Sequence, residues 1–116
     1  MESNGINTKI NYCNNDLNDY LFDLYNKSSL LAVDTEAMGL VHGRDRLCLI
    51  QICNENDITT CIRIDQNQKS SKKIKKLFED KEITKIFHFA RFDIAALKCN
   101  LGINTKNIFC TKIASK

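Results

Sequence analysis

An α/β fold, a mixed five-stranded sheet flanked by helices, is the architecture this sequence predicts. Three observations carry it. Short apolar runs bounded by Asn, Asp, Ser and Gly recur along the chain, as buried strands do. Between them lie segments whose apolar residues keep helical spacing. Their order, three consecutive strands and then alternating helices and strands, suits a mixed sheet covered by helices.

Residues 9–13 (Lys-Ile-Asn-Tyr-Cys) are a candidate short edge strand outside the five. Leu17, Tyr20, Leu21, Leu24 and Tyr25 follow helical spacing behind Asn14, Asn15 and Asp16 as N-cap candidates, which predicts a helix over 15–26. The apolar run 30–36 reads as a buried strand, and the segment 37–45, with Gly39 and Gly43, as a loop. Runs 47–53 and 58–64, joined by Asn54, Glu55, Asn56 and Asp57, form a β-hairpin. Ser70 or Ser71 caps a helix over 71–79 with Ile74, Leu77 and Phe78 inward. Residues 83–87 are a fourth strand. Residues 90–100 form a helix with Phe92, Ala95, Ala96 and Leu97 inward, and Gly102 stands where a left-handed C-cap residue belongs. Residues 108–110 supply the fifth strand.

A chain of 116 residues is one domain, 1–116, with a polar N-terminal tail over 1–8. No stretch approaches the ~20 apolar residues of a membrane span, and residues 1–8 lack the apolar segment of a signal peptide, so the expected place is the cytoplasm, with no membrane partner. The six cysteines include no Cys-x-x-Cys, and neither His42 nor His88 stands at finger spacing from a cysteine pair. Buried free thiols are therefore expected rather than disulfides or zinc. The net charge of +3 permits nucleic-acid binding without demonstrating it. The cluster Lys69, Lys72, Lys73, Lys75 and Lys76 is read as a solvated helix face ahead of a phosphate-contacting patch.

The feature that carries chemistry is Asp34-Thr35-Glu36 at the end of the 30–36 run. Alternate residues of a strand share a face, so the two carboxylates stand side by side, about 7 Å apart along the chain. Like charges on one face of a core strand ask for neutralisation, and a divalent cation is the simplest agent. A solvated turn at the strand end is the plain alternative. Asp93 falls in the first turn of the helix that follows strand 83–87. It either complements the helix dipole or reaches across adjacent parallel strand ends toward Asp34 and Glu36. Three carboxylates converging there make a site for a hard metal.

Val33-Asp34-Thr35-Glu36, Arg46-Leu47-Cys48-Leu49-Ile50-Gln51-Ile52, the stretch Lys85-Ile86-Phe87-His88-Phe89-Ala90-Arg91-Phe92-Asp93, and Phe109-Cys110-Thr111-Lys112-Ile113-Ala114-Ser115 follow one another in an order and spacing that resembles the ribonuclease D branch of the DEDD 3′–5′ exonucleases. The resemblance covers about residues 28–116. It implies a ribonuclease H-like fold, here lacking the C-terminal helices, and a 3′–5′ exoribonuclease that hydrolyses phosphodiester bonds with two divalent cations, Mg²⁺ or Mn²⁺. By that resemblance Asp34 bridges both cations, Glu36 binds the one that activates water, and Asp93 holds the other. The backbone at Thr35, Ala37 and Met38 meets the terminal nucleotide. Met38 is read equally as a base contact or an ordinary loop or core residue, and His88 as a structural histidine ahead of a phosphate contact. The implied partners are RNA 3′ ends, including tRNA-like precursors, or other single-stranded nucleic acid.

One departure stands out. The family carries a fourth carboxylate, usually four residues after a Tyr or His general base, on a late helix. Residues 94–116 contain no Asp or Glu. The domain is therefore expected to be C-terminally incomplete, with one sheet face uncovered. A second chain that supplies the missing motif, a non-catalytic nucleic-acid-binding remnant, and a gene fragment of such an exonuclease are the alternatives this opens.

Overall fold

A computed structural model describes residues 10–38, 46–65, 68–88 and 90–111. Of the sequence expectations, the N-terminal tail, the glycine loop with His42, Phe89 and residues 112–116 lie outside the described residues. The elements run β1 (Ile10–Asn14), α1 (Asp19–Asn26), β2 (Leu30–Met38), β3 (Arg46–Asn54), β4 (Thr59–Arg63), α2 (Lys72–Phe78), β5 (Thr84–Phe87), α3 (Ala90–Leu101) and β6 (Ile108–Cys110). The strands form one sheet in the order β1-β4-β3-β2-β5-β6.

The sheet has six strands rather than five, because Ile10–Asn14 pairs in parallel with β4 along its whole length. Only β3 runs against the others, antiparallel to β2 and β4, while β5 is parallel to β2 and to β6. The C-terminal ends of β1, β4, β2, β5 and β6 therefore meet at one edge of the sheet. Ligand sites of open α/β sheets gather at such an edge.

The helices flank the sheet along one face. Their buried residues join one face of it in a single core: Leu21 and Tyr25 of α1, Ile74, Leu77 and Phe78 of α2, and Leu97 and Leu101 of α3 pack with Leu31, Val33, Ile50, Ile52, Ile62 and Phe87. On the other face Ala32, Asp34 and Gln51 are exposed, Tyr12 is 75% exposed and Phe109 57%. The period-2 alternation of the strands is thus split between a dry face and an open one.

Helix α1 starts at Asp19, four residues later than its spacing predicts, with Asn18 as N-cap accepting the Leu21 N–H at 2.8 Å. The earlier candidates are used elsewhere. Asn15 adopts a left-handed conformation (φ 71°) where the chain leaves β1. The Asp16 carboxylate accepts the N–H groups of Lys73 and Ile74, so it caps α2. Ser71 is the N-cap of α2 by position, but its side chain makes no capping bond; its hydroxyl donates to the Asn15 carbonyl. Leu17 and Leu21 are buried as expected, whereas Tyr20 is 72% exposed.

In α3 the inward residues are Ala90, Asp93, Leu97 and Leu101, a cleaner i, i+3, i+4 stripe than the one expected. Phe92 is exposed instead, and Ala95 with it. Gly102 does hold the left-handed C-cap (φ 67°), donating to the Lys98 carbonyl while Ile103 reaches Leu97. All six cysteines are free, Cys99 exposed and the other five half-buried.

Candidate functional site

Strand β2 is interior to the sheet, between β3 and β5. Asp34 lies opposite Gln51 and Glu36 opposite Leu49, so both carboxylates project from the open face. A bulge between Glu36 and Ala37 then shifts the register, and Ala37 pairs with Leu47. Such irregularities bend a strand and re-aim its side chains, and they concentrate next to active sites. The Cys48 thiol donates to the Glu36 carbonyl at 3.3 Å beside this bulge.

Asp93 arrives from the other face. Helix α3 begins just beyond β5, which is parallel to β2, so its first turn lies over the strand ends. Asp93 is only 8% exposed. The Thr35 hydroxyl donates to its Oδ1 at 2.5 Å. Thr35 points away from Asp34 and Glu36, toward the helices, because it is one residue out of phase with both. Burial pushes the Asp93 carboxyl above the usual carboxylate range. The Thr35 hydrogen bond draws it back, the charge of Asp34 raises it further, and His88 opposes that rise. Asp34 and Asp93 therefore feel one another across the strand.

The start of α3 has a second anchor. The Ala90 N–H donates to the Cys110 sulfur at 3.4 Å, from the end of β6. The sulfur thus serves as an acceptor for the helix N-terminus. His88 is exposed at the end of β5, its Nδ1 3.3 Å from the Thr111 hydroxyl. Ala37 is exposed, and Met38 ends β2 opposite Arg46, its side chain outside the described residues.

The structure thus brings Asp34, Thr35, Glu36, Ala37, His88 and Asp93 to one edge of the sheet. Sequence reasoning assigned Thr35 only a backbone role and missed its side chain. The signal was available, since the residue between two outward carboxylates must face the helices. The donor chemistry, carboxylate oxygens, suits a hard divalent cation. The geometry is not closed around one: among the described residues, no three of His, Cys, Asp and Glu stand together closely enough to hold a metal ion. Asp34 and Glu36 form an open pair, and Asp93 is set apart by its bond to Thr35.

A family model described as 3′–5′ exonuclease matches residues 8–116. A search of curated protein sequences finds no match. Among solved structures, Brucella melitensis NrnC bound to pGG superposes with a TM-score of 0.83 at 41% identity, over 92% of this chain and 51% of that one. Brucella melitensis NrnC with bound Mg²⁺ gives 0.81 at 42% identity, over 90% and 50%. The complex of Trypanosoma brucei RNase D with RNA U12 gives 0.69 at 20% identity, over 89% and 38%, a likeness of fold. The chain spans about half the length of the NrnC chains. The mixed sheet with its helices is the ribonuclease H-like fold of these exonucleases. The family model runs through nearly the whole sequence, and NrnC shares about two residues in five with it: the chain belongs to the DEDD 3′–5′ exonuclease family.

Proposed function

We propose that this chain acts in 3′-end hydrolysis of RNA, as a metal-dependent 3′–5′ exoribonuclease of the ribonuclease D kind. The observation that carries the reading is that Asp34 and Glu36 at the end of β2 and Asp93 at the start of α3 lie at one edge of the sheet, with Thr35 between the pair bonded to Asp93. The NrnC structures, one with Mg²⁺ and one with pGG, support a cation and a nucleic-acid ligand at this fold. Asp34, Glu36 and Asp93 would hold two divalent cations, Mg²⁺ or Mn²⁺. When bound, such ions stabilise the attacking and leaving oxygens of the phosphodiester.

The chain's own residues supply the rest. Asp34 and Glu36 present carboxylate oxygens on the open face, where a single strand can approach. The backbone of Thr35, Ala37 and Met38 borders the place where a terminal nucleotide would lie, and His88 stands at the neighbouring strand end for a phosphate. In the reaction a water oxygen bonds to the terminal phosphorus, the bond from phosphorus to the O3′ of the preceding nucleotide breaks, and that O3′ takes up a proton. The water proton needs an acceptor. No acidic residue follows Asp93 in the sequence, so that acceptor and a fourth carboxylate would come from a second polypeptide or a longer chain. The open sheet face, adjoining Asp34, is where such a segment would sit. RNA precursors such as tRNA 3′ tails are the substrates the family resemblance favours, and the cytoplasm is the expected place of action.

The open geometry favours one second reading: a nucleic-acid-binding remnant that does not turn over. The purified chain, incubated with 5′-labelled, 3′-tailed single-stranded RNA in Mg²⁺ and then Mn²⁺ beside Asp34→Ala, separates the two. A ladder shortening from the 3′ end and lost in the variant establishes the nuclease. Salt-dependent RNA binding with no ladder establishes the remnant.

A further inference from the structure

The carboxyl of Asp93 is held by one bond. Its Oδ1 takes the Thr35 hydroxyl, and no other hydrogen bond reaches it among the described residues. Asp93 is 8% exposed, and the Thr35 bond occupies Oδ1 while Oδ2 takes no hydrogen bond among the described residues. The donor of the single bond sits between Asp34 and Glu36 on the same strand. Thr35 is β-branched and stiff at χ1, so its hydroxyl is placed by the β2 backbone that places the other two carboxylates. The Cys110 sulfur anchors the same first turn of α3.

We infer that Thr35 is a positioning residue: its hydroxyl registers the Asp93 carboxylate against Asp34 and Glu36 and leaves Oδ2 to a divalent cation. The inference rests on the reading of Asp93 as a cation ligand. An aspartate free to rotate would lose rotamer freedom on binding, and one turned wrongly would not meet the pair on β2. Groups that orient a metal ligand without touching the metal typically matter 10–100-fold in affinity. The same bond read as a latch, one that withholds Asp93 from a cation, makes the opposite prediction.

Mn²⁺ titration of the 116-residue chain, followed by the electron paramagnetic resonance of the free ion, decides between them. Wild type, Thr35→Val, Thr35→Ser and Asp93→Asn are compared, with circular dichroism to verify folding and Thr35→Ala in reserve should the valine variant not fold. Thr35→Val is expected to bind Mn²⁺ about 10–100-fold more weakly, and Thr35→Ser, which keeps the hydroxyl, to restore most of the affinity. Unchanged or tighter binding by Thr35→Val or Thr35→Ala, with Asp93→Asn weakened, overturns the positioning role and leaves Asp93 a ligand. Wild-type affinity in Asp93→Asn, or no binding by wild type, overturns the ligand reading and the inference with it.

Discussion

Asp16, just past the end of β1, caps Lys73 in the first turn of α2: its carboxylate accepts that N–H at 2.9 Å and the next, of Ile74, at 3.1 Å. The bond links segments 57 residues apart and serves a helix only seven residues long. A helix that short has little stability of its own. Its first turn carries no acidic residue, and Ser71 does not cap it. Asp16→Ala is expected to destabilise the fold by about 1–2 kcal/mol, the usual worth of a strong N-cap. Urea unfolding should show a lower midpoint with an unchanged slope. An unshifted midpoint would mean that solvent satisfies those donors equally well.

Tyr25 is the corresponding link between α1 and the sheet. Its ring is fully buried, and its hydroxyl meets Thr60 Oγ1 at 2.7 Å and the Ile58 carbonyl at 2.9 Å. Burial pushes the phenol up to about 12, against the pull of the Thr60 hydrogen bond. Tyr25→Phe keeps the ring and strands those partners. The expected loss is about 1–3 kcal/mol, that of a buried polar group left unpaired. Tyr25→Phe/Thr60→Val removes both sides and should recover part of it; a double variant weaker than the sum of the two singles contradicts this account.

Most of the fold was legible in the sequence because its strands are short, apolar and separated by turn residues. The alternation of β2 made Asp34 and Glu36 companions on one face, and the pairing of β2 with β5 brought Asp93 to their edge. What was hidden depends on contacts far apart in sequence. Asp16 looks like the cap of α1, the nearest helix, and serves α2 instead. Phe92 looks like a core residue, but α3 turns Asp93 inward, and Phe92, one position earlier, must face outward. The strand 9–13 was visible only as a candidate, because an edge strand earns its place through its partner β4. Helices on a single face could not be read from element order, which is the same whichever side each crossover takes.

Lys85 makes stability depend on pH in a direction unusual for lysine. It lies on the dry face of β5, fully buried, and its ammonium donates to the carbonyls of Leu77 at 3.2 Å and Asp80 at 2.7 Å, at the C-terminal end of α2. Desolvation lowers its pKa from 10.5 to about 8, with Asp80 opposing the shift. Between these values the unfolded chain keeps a proton that the folded chain has released, so this group makes stability rise with pH from about 8 toward 10.5. Tyr25 also titrates in alkali, so the comparison is with Lys85→Met, which leaves it unchanged. Urea midpoints at pH 7.5 and 9.5 should rise more in wild type than in the variant. Parallel changes in the two proteins would show that Lys85 holds its proton throughout.

The last prediction sets stability against the proposed chemistry at Asp93. Burial and the Asp34 charge both disfavour its ionised form, and the Thr35 hydroxyl and His88 favour it. A carboxyl whose pKa is raised by folding contributes stability that is present below its unfolded pKa and lost as pH rises through the folded value. At neutral pH the metal-free chain therefore bears the cost of this charge. Asp93→Asn keeps the shape and still accepts from Thr35, but removes the charge. It is expected to melt at a higher temperature than wild type in EDTA at pH 7, and the gap is expected to narrow or vanish at pH 4. Adding Mn²⁺ should raise the melting temperature of wild type more than that of the variant, because a ligand that binds only the folded state stabilises it in proportion to its affinity. An acidic group retained where an amide is more stable is the mark of a site held for function. If the variant melts lower than wild type without metal, the carboxylate is there for the fold, and the case for a cation at this edge falls back on Asp34 and Glu36 alone.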